Sequence, residues 1–260
     1  MCLKAWFRPH RDRLACFESA QNEVRRLDFA GKGWADIDAY RQYQRRNAFG
    51  LDRDLKLHRI MPQVFYDSDV ASGCLTLPIA SPDTWGVSLE NPLASVTEPD
   101  SVTEGTIHLG STVSRFHALC WTRKAEPTEE DWKSFSHGKP AVRITTTIGK
   151  LLDRVMERSD SAYMHRHWLV DVDYKDTRLV QQMRTPSEVY RRMQSDGALL
   201  ALSVAIVETR FCDEGEMRYL FDNGVLPKWS VATYDDTGQV PLVRVPFDWN
   251  GFVEREVQHP

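Results

Sequence analysis

The sequence predicts an α+β fold: a mixed, mostly antiparallel sheet covered by helices, with a helical extension at its N-terminal end. Two observations carry that expectation. Through residues 1–55 apolar residues recur at spacings of three and four, whereas from residue 56 onward the pattern changes to short alternating or β-branched runs. Those runs are interrupted by short helical stretches, and no internal repeat, low-complexity tract or flexible linker divides the chain. The expected organisation is a helical N-terminal extension over residues 1–55 and a single α+β domain over residues 56–260.

The extension contains two helical patterns, "RLACFESAQNEVRRL" and "ADIDAYRQYQRRNAF", the second with Asp36 placed as an N-cap. "KLHRIM" then reads as a strand. "PQVFYDSDVAS" reads as a helix opened by Pro62 and closed at Gly73, and "CLTLPIA" returns to strand. "SPDTWGVSLENPL" is rich in Pro, Gly, Asn and Ser, so it reads as a long loop, and it carries Trp85. "RFHALCWT" and "AVRITT" read as strands flanking a charged helix, "TEEDWKSF". "IGKLLDRVME" is helical, "HWLVDVDY" alternates like a strand, "SEVYRRMQ" is helical, and "GQVPLVRVPFDWN" suggests a last short strand and loop.

Composition narrows the class. With 260 residues, 42% of them hydrophobic and 27% charged, the chain can bury a substantial core. The net charge of -4 gives no general attraction to nucleic acid or to an anionic membrane. Cysteines at 2, 16, 74, 120 and 212 are odd in number and lack a C-x-x-C spacing, which argues against a disulfide framework and a zinc site. A reducing cytoplasm fits that pattern. The longest apolar stretch, "ALLALSVAIV", is half a membrane span, and the start lacks an apolar core of signal-peptide length, so no membrane partner is expected.

"RFCDEGEMRYLF", residues 210–221, reads as a strand in which Glu214 and Glu216 share a face, because side chains two apart point the same way. Like charges that close repel, so a structural role requires a cation such as Arg210 or Arg218. "HRH" at 165–167 lacks the third ligand of a metal site, and no metal is expected. Neither a G-x-x-x-x-G-K-[ST] loop nor a G-x-G-x-x-G fingerprint is present.

Three stretches in order, "LHRIMPQVFYDSDVASGCLTLPIASPDTWGVSLENPL", "FHALCWTRKAEPTEEDWKSFSHGKPAVRITTTIGKLL" and "FCDEGEMRYLF", resemble the bacterial domain of unknown function 2971 family over about residues 56–248. The loop "WGVSLENP" departs from that family in lacking its usual acidic pair. A more distant resemblance is to ADP-ribosyltransferases, which carry Arg on a first strand, Ser or Thr on a central strand and Glu-x-Glu on a late strand. That resemblance implies an ADP-ribosyltransferase-like fold and assigns Arg59, Thr122, Glu214 and Glu216 to those positions.

What the resemblance implies is chemically coherent. NAD would be consumed as a substrate, with ADP-ribose passed to a protein or nucleic acid or to water, in a setting such as bacterial defence or a toxin–antitoxin system with a partner protein. Breaking the nicotinamide bond builds positive charge on the ribose, which Glu216 would stabilise while Glu214 positions the acceptor. Arg59 offers a planar fork for the pyrophosphate, and Thr122 can donate and accept at once between ribose and glutamate. Trp85 would stack on nicotinamide or adenine. His58, on the opposite side of the strand from Arg59, stands where another transferase branch carries a histidine. The alternative is a non-catalytic protein- or nucleic-acid-binding domain, with the same residues in salt bridges and strand edges.

Overall fold

A computed structural model describes residues 10–32, 36–78, 97–99, 105–108, 115–156, 166–175, 197–223, 231–234 and 241–259. Trp85 and the expected helix "SEVYRRMQ" lie outside the described residues. Two helices come first, α1 (His10–Phe29) and α2 (Ile37–Asn47). Asp36 caps α2 as expected, its carboxylate accepting from the Asp38 and Ala39 N–H groups.

Strand β1 (Lys56–Pro62) follows and runs directly into α3 (Gln63–Ser72), which ends on Gly73 in the left-handed region. A residue with a Cβ is disfavoured there, so the expected stop at Gly73 has a conformational cause. Next come β2 (Cys74–Pro78), the short strands β3 (Thr97–Pro99) and β4 (Thr106–His108), then β5 (Phe116–Thr122). Helix α4 (Glu129–Ser136) opens with a capping box between Thr128 and Asp131, then β6 (Ala141–Thr147) leads into α5 (Ile148–Val155).

The "HWLVDVDY" run divides at Val172 into β7 (His167–Asp171) and β8 (Asp173–Lys175). Helix α6 (Ala198–Ser203) and β9 (Ile206–Glu208) precede β10 (Glu216–Asp222), and β11 (Val231–Tyr234), β12 (Pro241–Pro246) and β13 (Arg255–His259) complete the chain. The last strand was not expected, because β13 is short and its partner β6 lies more than a hundred residues earlier.

Among the described residues the main sheet has the order β13-β6-β1-β5-β10-β7, and each of its pairings is antiparallel. A smaller sheet, β11-β12-β2, is antiparallel too, whereas β8 and β9 run parallel. The chain is therefore α+β with a mostly antiparallel sheet and several helices. No helix among the described residues is long and apolar enough to cross a membrane.

One feature of the main sheet positions the site. Strand β1 pairs with β6 from Lys56 to Pro62, and β5 pairs with β10 along its whole length, but β1 and β5 are in register at a single pair, His58 with Thr122. The sheet is thus two three-stranded units stitched at one position.

Each face carries its own core. Leu119, Trp121, Met217, Tyr219 and Phe221 pack with Leu75, Leu77, Val243 and Val245 of the smaller sheet. On the other face Ala118, Val170, Trp168 and Leu220 pack under α6, with Phe17 and Phe49 from the extension. Burial of each such side chain contributes on the order of 2 kcal/mol. The extension also covers the β7 edge, where Asn47 donates to the His167 carbonyl at 2.8 Å.

Candidate functional site

Cross-strand partners share a face, so the register places Thr145, His58, Thr122 and Glu216 in one row over four neighbouring strands. His58 and Glu216 are each 7% exposed, and Thr122 is half-buried. The His58 ring holds Thr145 Oγ1 at 2.9 Å through Nδ1, which leaves Nε2 on the opposite edge of the imidazole. Thr122 donates its hydroxyl to the Glu214 carbonyl and accepts from the Lys124 N–H at 3.0 Å.

The Glu216 carboxylate is gripped by Arg218, two residues on and therefore on the same face. Nε lies 2.8 Å from Oε1 and Nη2 3.3 Å from Oε2, while Nη1 donates to the Val204 carbonyl at 2.7 Å. Arg218 is the cation that a structural role for neighbouring carboxylates called for, whereas Arg210 pairs with Glu208 at 2.7 Å. Arg143, one row along, donates to the Lys124 and Ala125 carbonyls. The row is accordingly flanked on the same face by the connection into α4 on one side and by the end of α6 on the other. Tyr174 completes the surroundings, its hydroxyl accepting the Glu216 N–H at 2.7 Å, and burial together with the Glu216 charge raises the Tyr174 pKa.

Two expectations are corrected by this geometry. Residues 210–221 do not form one strand: Thr209–Glu214 is a 3-10 turn that ends on Gly215 at φ 55, and β10 starts at Glu216. Glu214 and Glu216 are therefore not same-face neighbours of one strand. Alternation in the sequence suggested a continuous strand, but Gly215 adopts the left-handed conformation that breaks it. Arg59, second, does not join the row. It pairs with Ile144 and points to the opposite side of β1 from His58, where burial lowers its pKa against the raising effect of Asp69.

Sequence reasoning assigned no role to Thr145, Arg143 or Tyr174. Their places depend on which strands become neighbours, which spacing along the chain does not encode. Among the described cysteines, Cys16, Cys74 and Cys120 form no disulfide. Trp121 and Trp132 are buried core residues. No group of three or more potential metal ligands gathers among the described residues. No protein-family model, curated protein or solved structure matches this chain.

Proposed function

We propose that the chain is an ADP-ribosyltransferase-like, NAD-consuming enzyme of the domain of unknown function 2971 type, whose reactive line is the row His58, Thr122, Glu216. The observation that carries this reading is the register. The three strands that bear the expected motifs are immediate neighbours, and these three side chains share one face at the seam between the two halves of the sheet.

The donor set suits a ribose. An imidazole, a hydroxyl and a carboxylate in line can bind vicinal hydroxyls, and Glu216 is the group able to stabilise positive charge developing as the nicotinamide bond breaks. Arg218 fixes the direction of that carboxylate through two contacts, so little reorganisation is needed at reaction. The phosphates would need a cation other than Arg59, which lies across β1 from the row.

One observation favours the binding-only alternative. The Thr122 hydroxyl already uses its donor and an acceptor position within the fold, and Glu216 is already paired. Incubation of purified protein with labelled NAD and a cell lysate separates the two readings. Nicotinamide release that falls about 100-fold or more in Glu216→Gln supports the enzyme. Binding of a macromolecule without any release supports the alternative.

A further inference from the structure

We infer that residues 171–174 form a clamp that sets the main chain of Glu216, with Tyr174 as its positioning residue. The inference rests on the reactive row proposed above.

Both main-chain groups of Glu216 are held from this one segment. Its N–H donates to the Tyr174 hydroxyl at 2.7 Å, and its carbonyl accepts from the Val172 N–H at 3.1 Å. Between them the Asp173 N–H donates to the Ala205 carbonyl at 2.8 Å, beside the Val204 carbonyl that receives Arg218. The segment thus holds the carboxylate's own backbone and, next to it, the stretch of chain that anchors its counter-cation. At its other end Asp171 meets Arg13 of α1, both 1% exposed, with Nε 3.2 Å from Oδ1. The helical extension is in this way tied to the reactive row through four residues.

The need for a clamp follows from the local chain. Glu216 is the first residue of β10 and follows Gly215 in the left-handed conformation, so the 3-10 turn before it gives its N–H no regular ladder partner. A side-chain oxygen from β8 takes that N–H instead. Burial and the nearby Glu216 charge keep the Tyr174 hydroxyl protonated, so it retains its own hydrogen while accepting. Reaction geometry is sensitive to displacement on the order of 1 Å, and loosening this anchor shifts the carboxylate relative to Thr122 and His58.

Tyr174→Phe removes the accepting oxygen and keeps the ring. Nicotinamide release should lose about 10-fold in kcat with KM for NAD unchanged within about twofold, the split expected when an interaction matters in the transition state. Amide hydrogen exchange read by NMR should quicken about 10-fold at Glu216 and stay unchanged in β6 and β1, whereas a general loss of packing would quicken both. Unchanged kcat in an active parent, or unchanged exchange at Glu216, overturns the inference. A parent that releases no nicotinamide removes the enzyme reading instead, and exchange at Glu216 then decides the clamp alone.

Discussion

Two buried arginine–carboxylate pairs lie beside each other on opposite faces of the sheet, and they are satisfied very differently. Arg218 holds Glu216 through Nε and Nη2 and gives its remaining terminal nitrogen to the Val204 carbonyl. Arg13 approaches Asp171, whose strand partner Met217 lies between Glu216 and Arg218, at 3.2 Å through Nε, yet among the described residues none of its three guanidinium nitrogens makes a hydrogen bond. Taking charges out of water costs several kcal/mol per ion, and the attraction offsets this only when the other donors are satisfied. The first pair meets that condition and sits in the proposed reactive row. The second does not, and its place is the junction between α1 and β7.

The largest effect expected from this contrast is on stability. Arg218→Met leaves the Glu216 carboxylate buried without its cation, and denaturant unfolding should show a loss of about 3–5 kcal/mol. Arg13→Met should also destabilise, because Asp171 loses a buried cation 3.2 Å from its carboxylate. Combining Arg13→Met with Asp171→Leu should return stability to within about 1 kcal/mol of the parent, since an under-satisfied ion pair is replaced by apolar contacts. Retention of the full loss in the double variant would show that the two pairs are equivalent, and the comparison would fail.

A second test uses acid on the Asp171 side of the sheet. His167 shares that face, is fully buried with Nδ1 2.6 Å from the Tyr219 hydroxyl, and is pushed down to about 3 by burial and then by Arg166. Burial lowers His117 as well. The folded state holds these imidazoles neutral, whereas the unfolded chain binds a proton at about pH 6.5. Above that value neither state is charged and stability does not change on their account. As pH falls below about 6.5 the unfolded state gains protons that the folded state refuses, so stability drops by up to about 1.4 kcal/mol per pH unit for each histidine, down to its folded value. Unfolding curves between pH 7 and 4.5 should be less steep in pH for His167→Gln than for the parent. Equal slopes would mean that His167 is not held neutral.

Much of this arrangement was legible in the sequence because it is local. Period and turn residues located β1, α3, β5, α4, β6 and α5, and they placed Asp36 and Gly73 at helix ends. Thr122 and Glu216 were legible as motif positions, although the motif order put Arg59 rather than His58 with them, and Arg218 was one of two cations, with Arg210, expected beside the carboxylates. What escaped is either conformational or distant. Gly215 can adopt strand or left-handed geometry equally well, so the turn at 209–214 left no pattern. The single register pair between β1 and β5, and the hydroxyl of Tyr174 against Glu216, join residues 64 and 42 apart.

The smallest expected effect decides between the two sides of β1. The order of motifs pointed to Arg59 as the phosphate anchor, but the strand turns it away from His58 and toward the charge of Asp69. Asp69 is held by the Thr76 hydroxyl at 2.6 Å and the Thr76 N–H at 3.2 Å, and burial raises its pKa while Arg59 lowers it. Arg59 therefore balances a buried carboxylate on its own side of the strand. Arg59→Lys keeps the charge and should change stability by no more than about 1 kcal/mol. Calorimetric titration with NAD should show affinity unchanged in Arg59→Lys and weakened about fivefold in His58→Ala, the loss of one contact worth about 1 kcal/mol. The reverse order would remove the row from the site and restore Arg59 as the anchor, because only a group that meets the ligand is sensitive to the loss of its planar fork.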